Sequence, residues 1–303
     1  FICDLMDQAP LVRGLSGSCR IRRLEEIIIQ DPGRRGVAHL AVPGDLHRAA
    51  SCLARSTTRR VAVTTGFPCN VDHQPKAETD GPPGAVALCL VLQRLGKEAL
   101  IVCDREIHPT MQSFIADCNL DVECLLYPPP EGAGSPGQFL ITHRIDHLVA
   151  IERAGRAPDG RYYSMRAADL TEWCGPVDDL FGAAARSGVP TTAIGDGGNE
   201  LGMHKVYAQV CTYIPHGATI ASATGADHLV VAGVSNWGAY ALAAALGLEM
   251  GCPSAALCVL RVGKQEAVLA TLVKLGVRDG CTQALGPTVD GLPFAAHARV
   301  LEA

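Results

Sequence analysis

Six short runs rich in β-branched and aliphatic residues alternate with longer helical stretches, and that alternation allows few folds. The runs are Arg60–Thr65, Ala99–Cys103, Val122–Leu126, His147–Ile151, Thr191–Ile194 and Leu229–Ala232. Most are apolar nearly throughout, as strands are when both faces of their sheet are covered. Helical patterns separate them, at Pro82 to about Leu95, His108–Cys118, Val177–Arg186 and Asn236–Leu246, with Gln265–Leu275 near the C-terminus. Pro82 and Pro83 suit a first helical turn, where backbone N–H groups have no intrahelical partner, and Gly96 suits its end. The succession predicts an α/β fold: a mostly parallel sheet with helices on both faces, Rossmann-like and three-layered. Its site is expected in the loops at the carboxyl ends of the strands.

Ahead of the first strand, Leu24–Ile29 and Asp45–Ser56 read as helices. Residues 1–57 are therefore expected to pack as a helical segment on a catalytic domain spanning 58–303. Residues 128–137 hold four prolines and three glycines, which predicts a hinge or mobile loop instead of regular structure. The chain starts at Phe1 with neither a signal-peptide nor a transit-peptide pattern, which suggests a piece of a longer protein.

Hydrophobic residues make up 48% and charged residues 19% of the 303, a globular composition with enough material for a full-sized core. The net charge is −5 with the signs mixed, and no basic stripe marks a nucleic-acid partner. No window approaches the ~20 uninterrupted apolar residues of a membrane-spanning helix. The 13 cysteines are odd in number and show no CxxC pair and no zinc spacing, so they read as reduced core thiols in a reducing compartment.

Four strand ends carry the candidate chemistry. Glu78 and Asp80 precede the helix that opens at Pro82; they are either carboxylates at a helix N-terminus, with Asp80 as its cap, or hard oxygen ligands for a divalent cation. Free N–H groups at that end, as at Gly84, suit a substrate carboxylate. The loop Gly195–Met203 offers Asp196, Asn199 and Glu200 among glycines that let the backbone approach a ligand, at Gly197 and Gly198 in particular. Three oxygen donors within five residues favour a metal or substrate role over a simple turn with a helix cap. Glu152 and Arg153 end the fourth strand, with Arg153 either gripping a carboxylate or forming a surface pair. Asn236 reads as a helix cap or a substrate contact. Asp104 supports the site from behind, and His73, His108 and His143 have no spaced partner.

These segments together resemble one family. Glu78–Ala85, Ile151–Arg156, Ile194–Met203 and Val234–Gly238 are similar, in the same order, to the D-glutamate cyclase C-terminal domain family. The resemblance covers about Val61 to Leu246. It implies conversion of D-glutamate to 5-oxo-D-proline plus water, in the mitochondrial matrix, beside a separate N-terminal region of the same protein. It also implies a divalent metal, magnesium or manganese, in an internal cavity, and no nucleotide. Residue chemistry assigns the metal to Asp196, Glu200, Asn199 and Glu78 or Asp80. Glu152 is then the acid/base group and Arg153 the grip on the α-carboxylate, with Gly84, Gly197, Gly198 and Asn236 as further substrate contacts. Two other readings use the same loops: a metal-dependent hydrolase of a small phosphorylated or acyl-amino metabolite, and a non-catalytic amino-acid-sensing domain. Turnover of D-glutamate to 5-oxoproline separates all three.

Overall fold

The computed structural model describes residues 17–129 and 134–303. The chain runs through α1 (Gly17–Ile28), α2 (Asp45–Ala54), β1 (Arg60–Thr65), α3 (Pro82–Arg94), β2 (Glu98–Cys103), α4 (His108–Asp117), β3 (Glu123–Leu126) and α5 (Pro136–Thr142). It continues through β4 (His147–Ile151), α6 (Asp178–Ser187), β5 (Thr191–Gly195), α7 (Tyr207–Tyr213), α8 (Gly217–Ile220), β6 (His228–Val231) and α9 (Ser235–Glu249). The C-terminal part holds α10 (Pro253–Val259), α11 (Val262–Lys274), a hairpin of β7 (Thr288–Val289) and β8 (Leu292–Pro293), and α12 (Phe294–Glu302).

The first six strands form one sheet in the order β3-β2-β1-β4-β5-β6, every pairing parallel. Successive strand residues enter opposite layers. Val61, Val63, Ile101, Val149, Ile151 and Ile194 join one apolar cluster, while Ala62, Leu100, Val102, Leu148, Ala150 and Ala193 join the other. The expected α/β architecture with helices on both faces is therefore present.

The first cluster contains most of the helices. α3 and α9 pack on each other and on the strands, and α1, α2 and α10 cover α9 from outside. Sandwiching explains why α9 is buried nearly all round, with Trp237, Leu242 and Leu246 among its core residues. Ile21, Leu46 and Leu53, from the segment ahead of β1, belong to that same cluster. The first 16 residues of the expected N-terminal segment lie outside the described residues, as do residues 130–133 of the proline-rich stretch. α5 already begins at Pro136, so the irregular stretch ends earlier than its composition predicts.

Among the described residues no cysteine is bonded to another. Cys52, Cys89 and Cys103 are buried, but Cys19, Cys252 and Cys281 are exposed, which corrects the expectation of uniformly core thiols. An apolar neighbourhood in sequence does not fix which face of an element a residue occupies.

The α3–α9 contact depends on Gly84, because a Cβ there would lie 2.7 Å from the Ala239 Cβ and 3.0 Å from Asn236 Oδ1. Gly84→Ala is expected to cost about 1–3 kcal/mol through overpacking. Urea unfolding measures it, and an unchanged midpoint would contradict this packing.

Candidate active site

The sheet order reverses between β1 and β4, the place where parallel sheets open a ligand crevice beyond their carboxyl ends. A cavity of about 250 Å³ lies there. Glu78, Glu152, Asp196, Asp290, Asn199 and Arg35 form its polar side, and Phe67, Met165 and Leu170 its apolar side. The volume is below the roughly 300–1,000 Å³ of pockets that hold drug-sized ligands, so it suits a smaller metabolite.

Each carboxylate arrives by a different route. Glu78 comes from the loop after β1, which is tied to the C-terminal part by Thr79, whose N–H donates to the Arg278 carbonyl at 3.1 Å and whose Oγ1 donates to the Thr288 carbonyl at 2.8 Å. Gly280 makes room for it, since a Cβ there would fall 1.8 Å from Glu78 Oε2. Glu152 immediately follows β4 with φ 44°, a left-handed conformation uncommon for a residue with a side chain. Its Oε2 accepts a hydrogen bond from Ser235 Oγ at 2.6 Å. Asp196 immediately follows β5, and its Oδ2 accepts from Arg35 Nη2 at 2.7 Å. Asp290 sits in the two-residue turn between β7 and β8, and its Oδ2 accepts from the same Arg35 nitrogen at 2.9 Å.

This concentration of buried acid has a large electrostatic consequence. Burial, then the charges of Asp290 and Asp196, hold the Glu78 carboxyl well above its ordinary range. Burial followed by the same two charges raises Asp80, and burial followed by Asp196, Glu200 and Asp80 raises Glu152. Asp196 is raised by burial against the opposing pull of Arg35, and Asp290 is pushed up to about 8 by burial and by Asp196. Arg35 is the counter-charge that pairs with Asp196 and Asp290. Burial opposes its charged form, and Asp196 and Asp290 outweigh that, raising its pKa. Carboxylates so placed either hold protons or share a cation.

The donor set fits a hard divalent cation. Asp80, Asp196 and Asp290 present oxygens within 4.8 Å of one another, and so do Glu152, Asp196 and Glu200. Asp196 is common to both groups. Its carboxylate faces Arg35 and the cavity and caps no helix, while Glu200 closes the turn of the same loop through its N–H groups.

Several predicted roles are corrected by geometry. Arg153 is fully buried and does not reach the cavity; its guanidinium pairs with Asp104 and donates to the carbonyls of Gly66 at 3.0 Å and Gly175 at 3.1 Å. It fastens the loop after β1 to the segment before α6, and is neither a surface pair nor a substrate grip. Asp80 does act as a helix cap, but for α9 and not α3, accepting from the N–H groups of Ser235 and Asn236, each at 2.8 Å. Asn236 reciprocates. Its Oδ1 accepts from the N–H groups of Gly81 at 3.1 Å and Gly84 at 2.8 Å, and its Nδ2 donates to the Thr79 carbonyl at 3.1 Å. Neither Asn236 nor the Gly84 N–H is left to bind substrate. The N–H groups of Gly197 and Gly198 are likewise engaged, by Glu200, which also accepts from the Asp196 N–H at 2.7 Å. Asn199 does line the cavity, with its Nδ2 donating to the Tyr163 carbonyl at 2.7 Å. His73, His108 and His143 do not line it.

Arg35 and Asp290 were not legible as site residues. Asp290-Gly291 between short apolar pairs is a hairpin signal, and both residues have positive φ, 55° and 74°, as a type I′ turn requires. That signal predicts the turn but not its destination. For Arg35 no local signal exists, since its partners lie more than 150 positions away in sequence.

A family model described as D-glutamate cyclase-like, C-terminal, matches residues 24–303. The chain belongs to that family. It is 41% identical over 334 aligned positions to the mitochondrial D-glutamate cyclase of Homo sapiens, covering 98% of this chain and 54% of that protein. It thus spans about half the length of this curated relative. Among solved structures, the spinosyn rhamnosyltransferase SpnG complexed with spinosyn aglycone matches 83% of this chain and 47% of its own at 15% identity. The TM-score of that match is 0.31. Among the described residues of this D-glutamate cyclase-like domain, no helix is long and apolar enough to cross a membrane.

Two measurements follow from the site. Arg153→Met leaves Asp104 as a buried charge without its partner and is expected to cost about 3–5 kcal/mol while sparing cation affinity. Calorimetric unfolding and cation titration read the two effects, and a wild-type melt would contradict the assignment. Asp290 moves from an ordinary 3.8 to about 8 on folding, so between those values the folded chain binds more protons than the unfolded one. Stability of the cation-free protein then falls as pH rises from about 4 to about 8. Its melting temperature should be lower at pH 8 than at pH 6, and manganese or magnesium should raise it more at pH 8. A flat profile without cation dependence would sink the shared-cation reading.

Proposed function

We propose that this chain carries the active site of a D-glutamate cyclase, closing D-glutamate to 5-oxo-D-proline and water with a divalent cation, magnesium or manganese. The observation that carries this reading is the cluster of raised carboxylates facing a metabolite-sized cavity at the sheet's switch point, in a member of this family. The name of the human relative supports the activity and a mitochondrial compartment. The remaining length of that relative supports a further region of the same polypeptide as a partner.

The residues that would hold the cation are Asp196 with Asp290 and Asp80, with Glu200 beside Asp196, and Glu78 faces the same space. When bound, such a cation supplies Lewis-acid polarisation of the distal carboxylate. Glu152 accepts one proton from the substrate ammonium, freeing the nitrogen lone pair to bond to the distal carboxyl carbon. As the carbon–oxygen bond breaks, the oxygen leaves as water with the proton held by Glu152 and a second proton from the nitrogen. Burial, then the neighbouring carboxylates, raise the Glu152 carboxyl, which favours its holding the proton that it returns to the leaving oxygen. The Ser235 hydroxyl fixes one Glu152 oxygen, leaving the other for the substrate. Phe67, Met165 and Leu170 keep water from the folded substrate, and intramolecular attack in that fixed conformation contributes much of the acceleration.

Incubation with D- and L-glutamate plus manganese or magnesium, followed by 5-oxoproline detection, tests the reading directly. Chelation should abolish turnover. Asp196→Asn should lower it about a hundredfold or more with weaker cation binding and an intact fold, and Glu152→Gln by about 10²–10⁴-fold. Full turnover in metal-free protein or in Asp196→Asn would refute the cation role. A wild type that binds D-glutamate without converting it would refute the enzyme.

A further inference from the structure

With Arg153 enclosed by Asp104, the cavity needs another cation to receive the carboxylate that does not react. Every ionisable group deep in it is acidic except Arg35, and Arg35 already donates to Asp196, Asp290 and the Gly233 carbonyl. A substrate with two carboxylates meets repulsion there unless something at the mouth offsets it. Among the described residues lining the cavity, Arg166 is the remaining cation.

Arg166 lies on the loop between Ser164 and Ala168, whose backbone is fixed by Ser164. The Ser164 Oγ accepts from the N–H groups of Arg166 at 3.3 Å and Ala168 at 3.2 Å. The side chain is solvent-exposed and reaches across the mouth, where Nη2 donates to the Cys281 carbonyl at 2.9 Å. No carboxylate pairs with it among the ion pairs of the described residues. A guanidinium has five N–H donors in a planar fork, so this one bond leaves an edge free for a carboxylate.

We infer that Arg166 binds the α-carboxylate of the substrate and thereby sets its direction, with the distal carboxylate pointing down to the acidic cluster and the amino group beside Glu152. This rests on the cyclase reading and adds the residue that chooses which carboxylate reacts. It also identifies the ligand class the mouth selects: small amino acids with a free α-carboxylate and a second acid at the far end.

The test compares D-glutamate with its α-amide, D-isoglutamine, in wild type and in Arg166→Gln, by steady-state kinetics and by calorimetric binding. Loss of a charge-assisted contact should raise KM for D-glutamate about 10- to 100-fold in Arg166→Gln, with kcat far less affected. The preference of the wild type for D-glutamate over its α-amide should shrink to near unity in the variant. Arg166→Lys should fall between the two, because an ammonium lacks the fork. The side chain is exposed, so both variants should melt as the wild type does. Unchanged KM and unchanged preference in Arg166→Gln overturn this inference and leave the cyclase reading standing. A wild type that neither binds nor converts D-glutamate overturns the cyclase reading, and this assignment with it.

Discussion

Buried carboxylates repel one another, and the rest of this site is arranged around holding several of them near one point. Water cannot screen them inside the crevice, so each must be held by something else. Asp80 is held by the N-terminal N–H groups of α9, and Glu200 by three successive N–H groups of its own loop. Asp196 and Asp290 share Arg35, and Glu152 takes the Ser235 hydroxyl. The helix ends and the glycine-rich loop thus supply partial positive charge where a loop of ordinary composition would not. What they leave uncompensated is the charge a divalent cation would neutralise.

That arrangement divides the polar residues into two kinds. Some face the cavity, as Glu78, Glu152, Asp196 and Asp290 do. Others fix the facing ones: Asp80 and Asn236 lock α3 to α9 by reciprocal capping, and Arg153 with Asp104 fastens the loop after β1. Asp104 directly follows β2 as Asp196 directly follows β5, yet one pairs with Arg153 and the other faces the cavity. Spacing cannot tell them apart, because the difference is the direction of one side chain.

The sheet was legible for a simple reason. Its strands are covered on both faces, so they appear as apolar runs bounded by polar loops, and all six fall within a residue or two of their expected limits. The carboxylates after β1, β4 and β5 were legible because parallel strands deliver their following residues to one edge. Arg153 was misread because an arginine ending an apolar strand looks the same whether its guanidinium turns to solvent or inward to Asp104. α5, α7, α8, α10 and α12 were not read because each is nine residues or fewer, little more than two turns of periodicity.

Arg35 and Asp290 show a deeper limit. One precedes the sheet and the other follows it, yet their side chains meet at 2.9 Å beside Asp196. Arg35 lies in the segment ahead of β1, and its guanidinium is the cation on which both aspartates converge. The turn carrying it is itself set by Asp31, whose carboxylate accepts from the N–H groups of Arg35 at 2.9 Å and Gly36 at 2.8 Å. At the other end, Asp279 accepts from the N–H groups of Cys281 at 2.9 Å and Gly291 at 2.7 Å, placing Cys281 and Asp290 on the same cavity. Short-range turns on either side of the sheet therefore do the positioning, and the sheet determines only where they meet. The acidic centre depends on both flanks of the α/β core: without the segment ahead of β1 its carboxylates lose their cation, and without the hairpin after α11 they lose Asp290.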